Sequence, residues 1–113
     1  MTILQEEFAQ SAARLIQKAA ELGYGVTFGE AYRTPEQAAL NAAKGSGIAN
    51  SLHIERLAID LNIFRDGVWL TDGSQYIDLG NWWLAQGPAY RWGQLFTHKD
   101  GNHFSISPDG KRG

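Results

Sequence analysis

Apolar residues recur at Ile3, Leu4, Phe8, Ala12, Leu15, Ile16, Ala19 and Leu22, separated mostly by three or four positions. That spacing places one apolar stripe on a helix over residues 3–22. Thr2 and Gln5 have the spacing of a capping box at its start, and Gly23 offers a left-handed stop at its end. The stretch from Tyr24 then reads as a strand ending near Glu30, followed by a turn. Thr34-Pro35-Glu36-Gln37 restarts a helix that runs to about Lys44, with proline at its first position. Gly45-Ser46-Gly47 is a flexible break, suited to a loop that admits or covers a substrate. From Leu57 to Phe64 the pattern alternates, with Ile59, Leu61 and Ile63 on one face and Ala58, Asp60 and Asn62 on the other. Asp66-Gly67 is a hairpin turn into a short strand, Val68-Trp69-Leu70. A loop at 71–74 precedes a helix over 75–86, which Gly80 weakens and Gly87-Pro88 ends. Trp92–Thr97 leads to a strand, Asp100-Gly101-Asn102 is a turn, 103–107 is the final strand, and 108–113 is a frayed tail. Helices early and hairpins late predict an α+β fold: a small, mainly antiparallel sheet packed by about three helices. Its length suits one domain spanning 1–113.

Composition narrows the possible functions. With 43% hydrophobic and 19% charged residues, the chain has the make-up of a folded soluble protein. A net charge of -2 provides no basic field for nucleic acid. There is no cysteine, so disulfides and thiolate metal sites are excluded, and His53, His98 and His103 are the whole supply of imidazole. No apolar run approaches the ~20 residues needed to span a bilayer, and the N-terminus lacks the basic and long apolar regions of an export signal. The expectation is a protein made in the cytoplasm, monomeric, with neither a membrane nor a nucleic acid as partner.

Candidate chemistry lies in Ser51-Leu-His-Ile-Glu-Arg-Leu-Ala-Ile-Asp60 and in Asp100-Gly-Asn-His103. A carboxylate in the middle of an alternating strand is costly to bury unless a cation or several donors hold it. Two histidines and a carboxylate can bind zinc and leave its fourth position for water, which is the catalytic arrangement. His53 lies seven residues before Asp60, and His103 is the best candidate for the third ligand. Each piece alone has a plainer reading. Asp60 can pair with Arg33 or Arg56, and Asp100-Gly-Asn-His is a serviceable hairpin turn.

As a set, Ser51-x-His53-x6-Asp60 with Asp100-x-x-His103-Phe104 resembles the signature of a family of zinc peptidases. The family includes D-alanyl-D-alanine carboxypeptidases, vancomycin-resistance dipeptidases and phage L-alanyl-D-glutamate endopeptidases. Tyr32-Arg33-Thr34-Pro35-Glu36-Gln37 resembles its arginine motif, and Trp92-Gly93 and the small Ala58 agree with it. Arg56 departs from it, standing where glycine is usual, as does Ser105, where glutamate is common. The resemblance implies the Hedgehog/DD-peptidase fold. It also implies one zinc ion on His53, Asp60 and His103, with Asp100 as general acid/base. Arg33 would clamp a substrate carboxylate and steady a developing oxyanion, and Ser51 would hydrogen-bond substrate beside the metal.

The implied substrate is a peptidoglycan stem peptide. Within the family, a phage endolysin cutting the L-alanyl-D-glutamate bond is the leading expectation. Such an enzyme accumulates in the infected host's cytoplasm and reaches the wall after the membrane is permeabilised. A D-alanyl-D-alanine carboxypeptidase or dipeptidase is the alternative, and a catalytically silent wall-binding module is a rival from another class. For the four tryptophans, core filling is favoured over a sugar-stacking surface. His98 is expected to face solvent, and Glu30 and Glu55 are possible supports behind the ligands.

Overall fold

The structure, a computed structural model, describes residues 2–44 and 52–108. The Gly45-Ser46-Gly47 break, Ser51 and the tail from Asp109 lie outside the described residues. Helix α1 (Thr2–Glu21) forms where the apolar stripe predicts it. Phe8, Ala12, Leu15 and Ala19 are buried, with Leu4, Ile16 and Leu22 packed beside them. Side chains the size of Phe8 and Leu15 contribute roughly 1.5–3 kcal/mol each when fully buried, and the alanines less. The helix stops at Gly23, whose φ of +88° is the left-handed turn expected there. Gln5 is used differently from the capping role predicted for it: its amide donates to the Glu55 carbonyl at 3.0 Å and ties α1 to the loop before the central strand.

Strand β1 (Gly25–Phe28) and helix α2 (Pro35–Ala43) follow. Thr34 caps α2 by accepting from the Gln37 amide at 3.1 Å, while the Gln37 side chain donates to Asn41 instead of closing the box. Strand β2 (Ala58–Arg65) is the centre of the sheet. It pairs with β1, with β3 (Val68–Leu70) and with β5 (His103–Ile106), and β5 in turn pairs with β4 (Tyr90–Trp92), every pair antiparallel. Strands β5 and β3 share one edge of β2, and β1 runs along the opposite edge.

The predicted helix over 75–86 is a 3-10 turn at Gly73–Tyr76 that continues as α3 (Ile77–Leu84). Gly80 is a packing device here, because a Cβ on it would lie 2.4 Å from the Trp92 ring. The strand expected after Trp92 comes earlier, as β4. Its successor, Gly93–Leu95, is a 3-10 turn that redirects the chain toward Asp100. The core between α1, α3 and the sheet holds Leu15, Leu61, Ile63, Trp83, Trp92 and Phe104. Tryptophan thus serves mainly as core filler, as expected, with Trp69 the exception at 56% exposed. No helix among the described residues is long and apolar enough to cross a membrane.

Candidate metal centre

Strand alternation turns Ala58, Asp60, Asn62 and Phe64 to one face of β2. The register sets His103 beside Asp60 on that face, since cross-strand partners share a side of the sheet. His53 arrives from the turn at residues 52–56, whose backbone closes on itself through the Leu57 amide and the Leu52 carbonyl. One carboxylate and two imidazoles therefore come together from β2, β5 and a loop.

Asp60 Oδ1 lies 3.2 Å from His53 Nε2 and 3.3 Å from His103 Nδ1. Both histidines are buried, at 2% and 3% exposure. Although these distances suit hydrogen bonds, the directions do not: Asp60 Oδ1 is buried and has no hydrogen-bond partner. Ligand atoms about 2.0–2.1 Å from a tetrahedral metal lie roughly 3.3 Å apart, close to the separations found here. All three ligand atoms fall within 4.8 Å of one another, so the group can hold a metal ion.

What lies behind the ligands supports that assignment. The far nitrogen of His53, Nδ1, is 3.0 Å from the Ala31 carbonyl and must carry the proton it donates there. Nε2, on the Asp60 side, is then the nitrogen whose lone pair a metal could take in place of a proton. The far nitrogen of His103, Nε2, is 3.0 Å from the buried Ser105 hydroxyl. Anchoring the remote nitrogen orients both rings, and the Ala31 carbonyl, which can only accept, also sets the tautomer of His53. Phe96 packs against the His103 ring, with centroids 5.3 Å apart. Ser105, which the sequence presents as a departure lying outside the ligand set, thus touches a ligand directly. Its signal was in the pattern, since residues 103 and 105 share a strand face.

Electrostatics follow from the crowding. Burial alone would raise the Asp60 pKa, but contacts with His103 and His53 overcome it and hold the carboxyl at about 2. Burial disfavours the His53 cation, yet the Asp60 contact and charge outweigh it and raise the His53 pKa. The Asp100 carboxyl is raised, first by partial desolvation and then by the charge of Asp60, with His103, His53 and Arg33 opposing. Asp100 therefore shares the electrostatic neighbourhood of the three ligands.

The turn carrying Asp100 is built around Trp92-Gly93. Trp92 Nε1 donates to the Gly101 carbonyl at 2.7 Å, and the Asp100 amide donates to the Gly93 carbonyl at 2.9 Å. Only glycine fits at 93, because a Cβ there would sit 2.0 Å from the Asp100 carbonyl oxygen. The other arm adds side-chain ties to its main-chain bonds, among them the Arg33 amide on the His53 carbonyl at 3.3 Å. Arg33 is bound by Glu30, with Nε donating at 2.9 Å and Nη2 also paired to the same oxygen. Asp60 makes its ion pairs with His53 and His103; Arg56 instead sits 4.0 Å over the Tyr32 ring. Arg56 has φ of 59°, so arginine occupies the left-handed conformation that glycine adopts freely. His98 is exposed, as expected.

Comparison with known proteins agrees with this geometry. No curated protein matches the sequence. The crystal structure of Serratia marcescens L-Ala D-Glu endopeptidase ChiX has a similar fold, with a TM-score of 0.65 at 22% identity, covering 84% of this chain and 77% of that one. The family model described as D-alanyl-D-alanine carboxypeptidase matches residues 44–106, a span that contains His53, Asp60, Asp100 and His103. That span is more than half of the chain, which therefore belongs to the D-alanyl-D-alanine carboxypeptidase family and is a peptidase.

Proposed function

We propose that this protein is a zinc-dependent peptidase of peptidoglycan stem peptides, cutting the L-alanyl-D-glutamate bond. The observation that carries the reading is the convergence of His53 Nε2, Asp60 Oδ1 and His103 Nδ1, beside the carboxylate of Asp100. Nitrogen and oxygen donors with two neutral imidazoles suit zinc, which when bound acidifies water and polarises a carbonyl.

The chain's own residues supply the remainder. Asp100 accepts a proton from the attacking water and later gives one to the leaving amine. Its raised pKa suits both halves of that exchange. Arg33, its guanidinium plane fixed by Glu30, faces a substrate carboxylate. Ser51 is proposed to hydrogen-bond the substrate. The proposed setting is phage lysis: a monomeric enzyme stored in the cytoplasm meets the wall once the membrane is opened. Neither a nucleic acid nor a membrane is a proposed partner, consistent with the net charge of -2.

Mass spectrometry of purified peptidoglycan after digestion tests the reading. New L-alanine C-termini and D-glutamate N-termini are expected, with the wall solubilised. Release of D-alanine from an insoluble wall would establish the carboxypeptidase alternative. An inert wall with an intact fold would establish the binding module.

A further inference from the structure

The face of β2 that carries the metal centre does not end there. Asp60, Asn62 and Phe64 follow one another along it, and the β2–β3 register sets Trp69 beside Phe64 on that same face. The Phe64 and Trp69 rings lie 25° from parallel with centroids 6.5 Å apart, and Trp69 remains 56% exposed. Between β3 and the turn before β5 is a recess of about 310 Å³, lined by Trp69, Thr71, Tyr76, Lys99, Asp100 and Asn102. Asp100 thus belongs to both the catalytic neighbourhood and the recess. The recess lies on the β5/β3 edge of β2, whereas Arg33 follows β1, on the opposite edge. A substrate lying across Asp60 would have one side toward Arg33 and the other toward Trp69.

We infer that the Trp69 recess is a subsite for the N-acetylated amino sugar to which the stem peptide is attached. The inference rests on the L-alanyl-D-glutamate reading, in which only one alanine and a lactyl unit separate that sugar from the bond cut. Phe64 lies four residues from Asp60, about 13 Å along a strand. Two residue-sized units reach about 7 Å, and the width of the sugar covers most of the rest. An exposed indole offers a flat apolar face to the C–H groups of a pyranose, and Thr71, Lys99 and Asn102 bring polar groups to its hydroxyl and acetamido substituents. A terminal D-alanyl-D-alanine bond lies too far from the sugar to use such a platform. The subsite therefore favours bonds near the glycan.

Kinetics of the zinc-loaded protein on two soluble substrates test this: a muramyl peptide, and the same peptide bearing only a lactyl group. The wild type is expected to prefer the muramyl peptide. Trp69→Ala should raise its KM about tenfold, the size of one aromatic stacking contact, with kcat and the sugar-free peptide unaffected. Trp69→Phe should recover most of the loss. Equal rates on both substrates, or an equal loss on both in Trp69→Ala, would overturn the subsite and leave the endopeptidase reading intact. A second measurement needs no turnover. The Trp69 indole N–H resonance, assigned by its absence in Trp69→Phe, should shift on titration with the N-acetylglucosaminyl-N-acetylmuramic acid disaccharide. No shift at millimolar disaccharide overturns the subsite. A shift without hydrolysis of either peptide supports the subsite and overturns the endopeptidase reading.

Discussion

The two arms that meet at Asp60 are constructed differently. The arm carrying Asp100 and His103 is held by main chain: Asp100 and Phe96 amides both reach the Gly93 carbonyl, the His103 amide reaches Asp100, and the Leu61 amide reaches the Asn102 carbonyl. The arm carrying Arg33 and His53 has main-chain bonds too, with the Arg33 amide on the His53 carbonyl and the Asp60 amide on the Glu30 carbonyl, and it adds side-chain ties through Glu30, through the Ala31 carbonyl on the His53 ring, and through Arg56 over Tyr32. Main-chain bonds form whatever the side chain, provided it fits, so the first arm is sensitive to shape. The second is sensitive to chemical identity as well.

Substitutions can break or sharpen the contrast. The largest effect is expected from Asp100→Ala, which removes the proposed acid/base group and leaves its turn in place. About 10²–10⁴-fold should be lost from kcat, while metal content measured by atomic absorption stays that of the wild type. Metal loss in this variant would make Asp100 a ligand instead. Gly93→Ala attacks the shape of the same arm, since its Cβ would meet main chain at 2.0 Å. A cost of about 3 kcal/mol is expected by chemical denaturation, and a near-normal midpoint would show that the turn gives way easily.

Ser105→Ala leaves the main chain untouched and frees the far nitrogen of His103. Metal affinity, measured by competition with a chelator, should fall about 10–100-fold, with Ser105→Thr retaining most of it. An unchanged affinity would mean that Phe96 packing orients the ring by itself. The smallest effect belongs to the other arm. Arg56→Gly relieves left-handed strain of about 1 kcal/mol but gives up a cation–π contact of about 0.5–1 kcal/mol. Stability should therefore change by less than about 0.5 kcal/mol, the difference of those two terms. A loss well beyond that would show that the Tyr32 contact organises the loop.

Much of this was legible in the chain. The 3.6-residue stripe from Leu4 to Leu22 and the alternation through Asp60 place α1 and β2 because burial follows period. His53, Asp60 and His103 could be grouped because an acid in mid-strand needs partners, and they do meet. Other features depend on distances between residues remote in sequence. Gly80 reads as a weak helix former until Trp92 is seen lying on it, and Arg56 reads as an anomaly until Tyr32 is found beneath it. Arg33 reads as a clamp for substrate, yet in this structure its partner is Glu30. Ser105 was undervalued because the alternation places it on the His103 face without showing that its hydroxyl reaches the ring.

The depressed Asp60 and raised His53 pKa values have a consequence for metal loading. In the metal-free protein a proton on His53 is the counter-charge of Asp60, and the stabilisation from that pair is lost as pH rises through the raised His53 value. A cation entering the site displaces this proton, so uptake and acidification of the medium are stoichiometrically linked. Apparent affinity should therefore climb with pH across the range where His53 titrates. Calorimetry in buffers of different ionisation enthalpy should register proton release on the acid side of the His53 titration, falling as pH rises through it. The centre is in that sense an exchanger, and the acidity of its surroundings sets how fully it is charged with metal.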